Sequence, residues 1–261
     1  MKKINGLPVY EYGNKNNKSI LFVHGFTFDS SMWDKQIEQL KEKYYCIAYD
    51  IRGLGLSRID DGQYTMESFS EDLLSIVDEL SLDKPVLCGL SMGGYISCRT
   101  IEREESKFSA LILFDTRADA DTNDAKLRRA SGVKQINTQG LDKFIEGFLP
   151  NCFSDEFKTN FSSEYESIFN QALMCNPLGV KGCILAMQGR TNTTPYLKNI
   201  KIPTLVLCGE KDVLSPVDEM KAMAEKIPAS KFVVVPGAGH MSPVEKPEFV
   251  NNQLLSFLEL L

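Results

Sequence analysis

The chain has 261 residues, of which 43% are apolar and 25% charged, with a net charge of −6. That composition is ordinary for a folded protein and the length suits one α/β domain with its own core, so disorder is excluded as the default. No basic block or Lys/Arg stripe occurs, which argues against nucleic acid as a ligand and against an anionic membrane surface.

Seven cysteines (Cys46, Cys88, Cys98, Cys152, Cys175, Cys183 and Cys208) are scattered, odd in number and without a C-x-x-C pair. This pattern predicts neither a disulfide framework nor a zinc site. Cys88 and Cys208 sit in apolar runs and read as small buried hydrophobes, and a reducing compartment fits. Met1 to Gly6 carry two lysines with no apolar stretch behind them, and no apolar run approaches the roughly 18 residues of a membrane span. A cytoplasmic location is the expectation.

Along the chain, short β-rich runs alternate with helical patterns. Pro8 to Tyr12 reads as an early strand. Ser19 to Val23 is a nearly continuous apolar run, as in a strand buried on both faces. Met32 to Tyr44 reads as a helix with Trp33, Ile37 and Leu40 on one face, and Tyr45 to Tyr49 as a second buried strand. Asp50 to Ser57 is a Gly-rich loop. Thr65 to Leu80 is the clearest helix, with Thr65 as N-cap and Phe69, Leu73, Ile76, Val77 and Leu80 at helical spacing.

Pro85 to Leu90 is a strand followed by a helix over Gly93 to Glu104, and Ala110 to Phe114 is a further strand. Thr204 to Cys208 and Lys231 to Val235 add two strands around a helix over Val217 to Ile227. Glu245 to Leu260 closes the chain as a helix. Such alternation predicts a mostly parallel sheet flanked by helices. The stretch from Asp119 to Tyr196 breaks the rhythm: it has helical patterns, many Phe, Met and Asn residues, and no convincing strand. The expected organisation is a core of residues 1–117 and 197–261, with a helical cap over 118–196 inserted after the sixth strand.

Gly89, Ser91 and Gly93 form G-x-S-x-G between the Pro85–Leu90 strand and the following helix. A sharp strand-to-helix turn needs small residues on either side and exposes the serine hydroxyl above the sheet edge. The helix N-terminus then faces the oxygen that becomes negative during acyl transfer. Ser91 is therefore the candidate nucleophile.

The chain has only two histidines. His240 lies in a Gly-rich loop just after the Lys231–Val235 strand, at the carboxyl end of a sheet, where ligands bind in α/β proteins. It is the candidate base. Asp212, just after the Thr204–Cys208 strand, is the candidate acid; the chain order Ser, Asp, His is the one this strand–turn–helix architecture uses. Glu210 and Asp115 are its rivals, Asp115 the better placed. The backbone N–H groups of Phe26 and Met92 are the expected oxyanion donors, with Gly25 allowing the tight turn. His24 reads as structural.

Five stretches in this order resemble the α/β-hydrolase superfamily over nearly the whole chain: Phe22–Phe26, Asp50–Ser57, Gly89–Gly94, Gly209–Asp212 and Gly237–His240. Leu113–Thr122 resembles the subgroup of small carboxylesterases and 3-oxoadipate enol-lactonases. The resemblance implies the α/β-hydrolase fold, a helical cap over the site, no metal and no cofactor, with Asp50 and Arg52 bracing the loop near the nucleophile. Haloalkane dehalogenases and epoxide hydrolases use an aspartate where Ser91 stands.

The expected activity is hydrolysis of a small to medium, partly apolar carboxylic ester or lactone through an acyl-enzyme. Phe26, Phe28, Trp33, Met92, Phe144, Phe148, Phe169 and Met187 are candidates to line the substrate pocket. Arg117 and Arg190 suit a substrate carboxylate but more often such arginines form structural ion pairs. The alternatives are a thioesterase, a C–C bond hydrolase or a cofactor-free perhydrolase on the same residues, or a non-catalytic ligand sensor. Nothing in the sequence sets monomer against homodimer.

Overall fold

A computed structural model describes residues 1–261. Its strands are β1 (Lys2–Ile4), β2 (Leu7–Tyr12), β3 (Ser19–Val23), β4 (Tyr45–Tyr49), β5 (Val86–Leu90), β6 (Ala110–Phe114), β7 (Thr204–Gly209) and β8 (Ser230–Val235). They form one sheet in the order β1-β2-β4-β3-β5-β6-β7-β8. Pairing is parallel from β4 across to β8, and antiparallel only where β1 and β2 join the β4 edge. Every residue of β3 to β7 is buried, which explains their unbroken apolar runs.

The flanking helices are α1 (Asp34–Leu40), α2 (Met66–Glu79), α3 (Met92–Glu104), α9 (Val217–Ala224), α10 (Ser242–Glu245) and α11 (Pro247–Leu258). α2 packs on α3, and α1 on α11. Thr65 caps α2 as its spacing suggested, in a reciprocal pair with Ser68. Between β6 and β7 the chain carries no strand. It forms α4 (Asn123–Gln139), α5 (Leu141–Phe148), α6 (Asp155–Asn160), α7 (Ser162–Leu173) and α8 (Pro177–Gln188). All seven cysteines are free thiols, and no helix is long and apolar enough to cross a membrane.

Three elements differ from the sequence expectation. β1 was not anticipated; it pairs with β2 across Asn5 (φ 49°) and Gly6 (φ 80°), the two left-handed residues of a tight hairpin. The helix expected over Met32–Tyr44 is shorter, a 3₁₀ turn at Ser30–Trp33 followed by α1 ending at Leu40. The closing helix is broken at Lys246, whose φ of −131° and ψ of 57° lie outside the helical region. Pro247 follows it, and the proline ring crowds the preceding residue out of that region.

The candidate active site

The turn from β5 into α3 determines where Ser91 sits. Ser91 takes φ 54° and ψ −116°, a backbone conformation that L-residues avoid and that persists only when its surroundings enforce it. Its N–H donates to the Phe114 carbonyl at 3.0 Å, and Thr116 Oγ1 donates to its carbonyl at 2.7 Å. The two flanking glycines are required by space. A Cβ at Gly93 would overlap the Val23 carbonyl oxygen, and one at Gly89 would overlap Ser97 Oγ and the Gly93 carbonyl. α3 can therefore lie against the end of β3 only with glycine there.

Asp212 and His240 come from the loops after β7 and β8. These loops cross closely: a Cβ at Gly209 would overlap the Gly239 carbonyl, and Lys211 N–H donates to the Ala238 carbonyl at 2.7 Å. His240 Nε2 lies 2.8 Å from Ser91 Oγ, and its Nδ1 lies 2.8 Å from Asp212 Oδ2. Asp212 Oδ1 accepts the N–H groups of Leu214 (2.7 Å) and Ser215 (3.1 Å), while Ser215 Oγ donates to Oδ2 beside His240. Burial opposes the charge on Asp212, but His240 and Ser215 outweigh it and hold its carboxyl below the usual range.

The two rival carboxyls are engaged elsewhere. Glu210 accepts the Gly237 N–H at 2.8 Å. Asp115 accepts the Gly209 N–H at 2.7 Å with Oδ1 and bonds Ser242 Oγ at 2.5 Å with Oδ2. Full burial, reinforced by the nearby charge of Asp212, pushes the Asp115 carboxyl well above its ordinary range.

Asp115, Cys208 and Asp212 have potential ligand atoms within 4.8 Å of one another. Those atoms are already used in hydrogen bonds: Cys208 Sγ contacts the Gly209 and Ser215 carbonyls, and burial pushes its thiol pKa up. A thiol kept protonated by burial, beside carboxylate oxygens already committed to hydrogen bonds, makes a poor cation cage.

Met92 is the first residue of α3, so its N–H has no partner within the helix. The Phe26 N–H likewise donates to no group of the protein, although the residue is buried. A buried amide without a partner is uncommon. His24 is wholly enclosed. It accepts the Ile51 N–H at Nε2 (2.8 Å), which leaves the proton on Nδ1 to donate to the Gly25 carbonyl (2.8 Å). Burial lowers its pKa, so this imidazole is neutral and ties the Gly25 turn to the loop after β4. Asp50 accepts from Ser30 and Leu56, and Arg52 pairs with Asp72 and Asp60.

A cavity of about 370 Å³ opens above Ser91 and His240. Phe26, Phe144, Phe148 and Met187 line it, with Phe26 edge-on to both Phe144 and Phe148. Several residues expected there lie elsewhere. Trp33 is fully buried between Phe22 and Phe114, where the turn before α1 meets the sheet. Phe28 faces Phe153 and borders a separate groove beside Glu164 and Gln171. Phe169 packs on Tyr165, and the Met92 side chain is fully buried.

Arg117 bonds the Leu214 carbonyl (2.8 Å) and Glu219 (2.7 Å). Arg190 bonds the Asp119 carbonyl, the Met187 carbonyl and Asp121, and stacks 4.2 Å over Tyr95. Both are thus held by the protein itself. Sequence reasoning missed Arg128, Arg129, Tyr95 and Leu214 as lining residues and Ser215 as a partner of Asp212. The periodicity of Ala125, Arg128, Arg129 and Gly132 (i, i+3, i+4, i+7) was the available clue to the first two.

The description of the α/β-hydrolase fold family matches residues 18–247, and the chain belongs to that family. A thermophilic esterase from Thermogutta terrifontis, solved with malate bound, superposes with a TM-score of 0.93 at 36% identity, covering 97% of this chain and 93% of the other. A 3-oxoadipate enol-lactonase of Acinetobacter baylyi is 27% identical over 92% of this chain and 88% of its own length. A putative non-heme chloroperoxidase of Synechocystis is 28% identical over 92% of this chain and 91% of its own. The chain is an α/β-hydrolase enzyme with esterase and enol-lactonase relatives.

Proposed function

We propose that the protein is a serine carboxylesterase or lactonase in which Ser91, His240 and Asp212 form the catalytic triad. The observation that carries this reading is His240 standing 2.8 Å from Ser91 Oγ on one side and 2.8 Å from Asp212 Oδ2 on the other. Asp212 accepts a hydrogen bond from Nδ1–H, which keeps the proton on Nδ1 and leaves Nε2 free to take the proton of Ser91. Ser91 Oγ then attacks the ester or lactone carbonyl. The carbonyl oxygen takes the negative charge and is met by the N–H groups of Phe26 and Met92, the two donors that the protein leaves unpaired. A donor of this kind is worth roughly a hundred- to a thousandfold in rate.

The imidazolium next gives its proton to the departing alcohol oxygen as the tetrahedral species collapses to an acyl-Ser91. Water, deprotonated by His240, attacks that acyl carbonyl, and Ser91 leaves with the proton. In a lactone the departing oxygen remains part of the acyl chain, so the second step releases a single molecule carrying both the new carboxylate and the former ring oxygen. Helices α4 to α8 act as the cap, and the apolar wall of Phe26, Phe144, Phe148 and Met187 receives a small to medium acyl or alcohol group. Hydrogen peroxide in place of water would make the same acyl-enzyme a perhydrolase, a second reading prompted by the likeness to the putative chloroperoxidase of Synechocystis.

A p-nitrophenyl ester series from acetyl to octanoyl, hydrolysed by wild type and Ser91→Ala side by side, tests the proposal. Turnover by wild type with a loss of several orders of magnitude in Ser91→Ala is expected. Equal turnover by both proteins would refute it.

A further inference from the structure

Although the chain carries a net charge of −6, the cavity above Ser91 is lined by four arginines (Arg117, Arg128, Arg129 and Arg190) against two aspartates, Asp119 and Asp121. Two of the arginines stand on α4, where Ala125, Arg128, Arg129 and Gly132 share one helix face and all line the cavity. On most helices the face turned inward is apolar. Here small residues make room, and the long side chains between them are cations.

The four arginines are not equivalent. Arg117 is taken by Glu219 and the Leu214 carbonyl. Arg129 and Arg190 share the single carboxylate of Asp121, whose side chain is 4% exposed. The Arg128 side chain is exposed and enters no ion pair or hydrogen bond with any group of the protein. Its guanidinium therefore has all five donors free, in the planar fork that matches a carboxylate. Arg129, on the next position of the helix, adds positive potential that one shared aspartate does not cancel.

We infer that this face of α4 is a carboxylate subsite, and that the substrate is an ester or lactone carrying a free carboxylate that Arg128 binds while the scissile carbonyl lies over Ser91. The inference rests on the hydrolase reading above and adds to it the charge of the substrate. The apolar wall of Phe26, Phe144 and Phe148 takes the carbon chain between the two ends. Arg128 acts as a specificity determinant, without a part in bond making. A neutral ester of the same length fills the apolar wall and leaves the guanidinium solvated, so it forfeits the charge-assisted contact.

The test compares mono-p-nitrophenyl esters of linear dicarboxylic acids, glutarate to suberate, with neutral p-nitrophenyl esters of the same carbon count. The ratio of kcat/KM for the acidic over the neutral ester is the readout. It should fall about ten- to a hundredfold in Arg128→Gln, as expected for loss of a charge-assisted hydrogen bond, and further in Arg128→Glu. The free dicarboxylic acid should bind wild type by calorimetry, and that binding should weaken in the same order. An unchanged ratio in both variants, or equal binding of the diacid by wild type and Arg128→Glu, overturns the inference. Ser91→Ala is run alongside: if it still hydrolyses both esters, the hydrolase reading fails. The calorimetric result then still decides whether the anion site exists.

Discussion

Replacing Asp212 by asparagine changes one atom and should nearly silence the enzyme. The carboxylate has two faces with different partners. Oδ1 accepts two backbone N–H groups, from Leu214 and Ser215, which can only donate. Oδ2 accepts from His240 Nδ1 and Ser215 Oγ. An amide must keep its oxygen toward the two backbone donors, because turning its NH₂ toward them would leave both unpaired at about 1–3 kcal/mol each.

The NH₂ of the asparagine then faces His240. Nδ1 becomes an acceptor, the ring proton moves to Nε2, and Nε2 can no longer take the proton of Ser91. A serine protease with the corresponding change loses about 10⁴ in kcat for this reason, equivalent to roughly 5.5 kcal/mol of transition-state stabilisation. A similar fall in kcat is expected here, with KM little changed and melting temperature nearly preserved, measured with p-nitrophenyl butyrate at neutral pH. The same substitution at Asp115 is the control. That side chain bonds neither Ser91 nor His240, and an amide can keep its oxygen on the Gly209 N–H while its NH₂ donates to Ser242 Oγ, so kcat should stay within about tenfold of wild type. A kcat within tenfold of wild type for Asp212→Asn, or a larger loss at Asp115 than at Asp212, would refute the reasoning.

Gly93→Ala forces the N-terminus of α3 away from the end of β3, because the added methyl overlaps the Val23 carbonyl. It should cost about 1–3 kcal/mol in urea denaturation. A displacement of about 1 Å at Ser91 should lower kcat by roughly a hundredfold; a fully stable and active variant would show that the turn tolerates a side chain. Asp121→Asn removes the counter-charge of Arg129 and Arg190 and should destabilise by about 3 kcal/mol at pH 7, a drop of roughly 6 to 12 °C in Tm.

That difference has a defined pH dependence. Burial acts against the Asp121 charge, but Arg129 and Arg190 prevail and hold its carboxyl below the usual range. The folded state thus binds this proton more weakly than the unfolded chain does. The stabilisation is fully present above the unfolded value of about 3.9 and is lost as pH falls through the lower folded value. Melting curves of wild type and variant should run parallel from pH 7 to about pH 5 and converge only in more acid solution. Convergence already at pH 6 would contradict the assignment.

The sheet was legible because β3 to β7 are buried on both faces, which demands continuous apolar runs that no surface element needs. The turn around Ser91 was legible for a related reason: Gly89 and Gly93 are imposed by contacts with Ser97 and Val23, and such contacts leave a fixed spacing in the sequence. Hairpin β1–β2 had its mark in Asn5-Gly6, next to a strand too short to show alternation. Trp33 and Phe28 were misplaced because an aromatic residue after β3 satisfies the cavity wall and the core equally well in pattern. Only packing on Phe22, Phe114 and Phe153 distinguishes them. Arg128 escaped notice because α4 is polar nearly all round, with only Gly132 and Ile136 buried, so no apolar stripe marks its inward face.

The central claim is that Ser91 is a nucleophile activated by His240. Intact-mass spectrometry after exposure to a p-nitrophenyl alkylphosphonate tests it without knowledge of the substrate. Wild type should gain a single phosphonyl group, mapped to Ser91 by peptide sequencing, with release of one equivalent of p-nitrophenol. Ser91→Ala should gain none, and His240→Ala should react far more slowly. Labelling that proceeds equally in Ser91→Ala, or wild type that stays unmodified while the p-nitrophenyl esters are also left intact, would contradict the account.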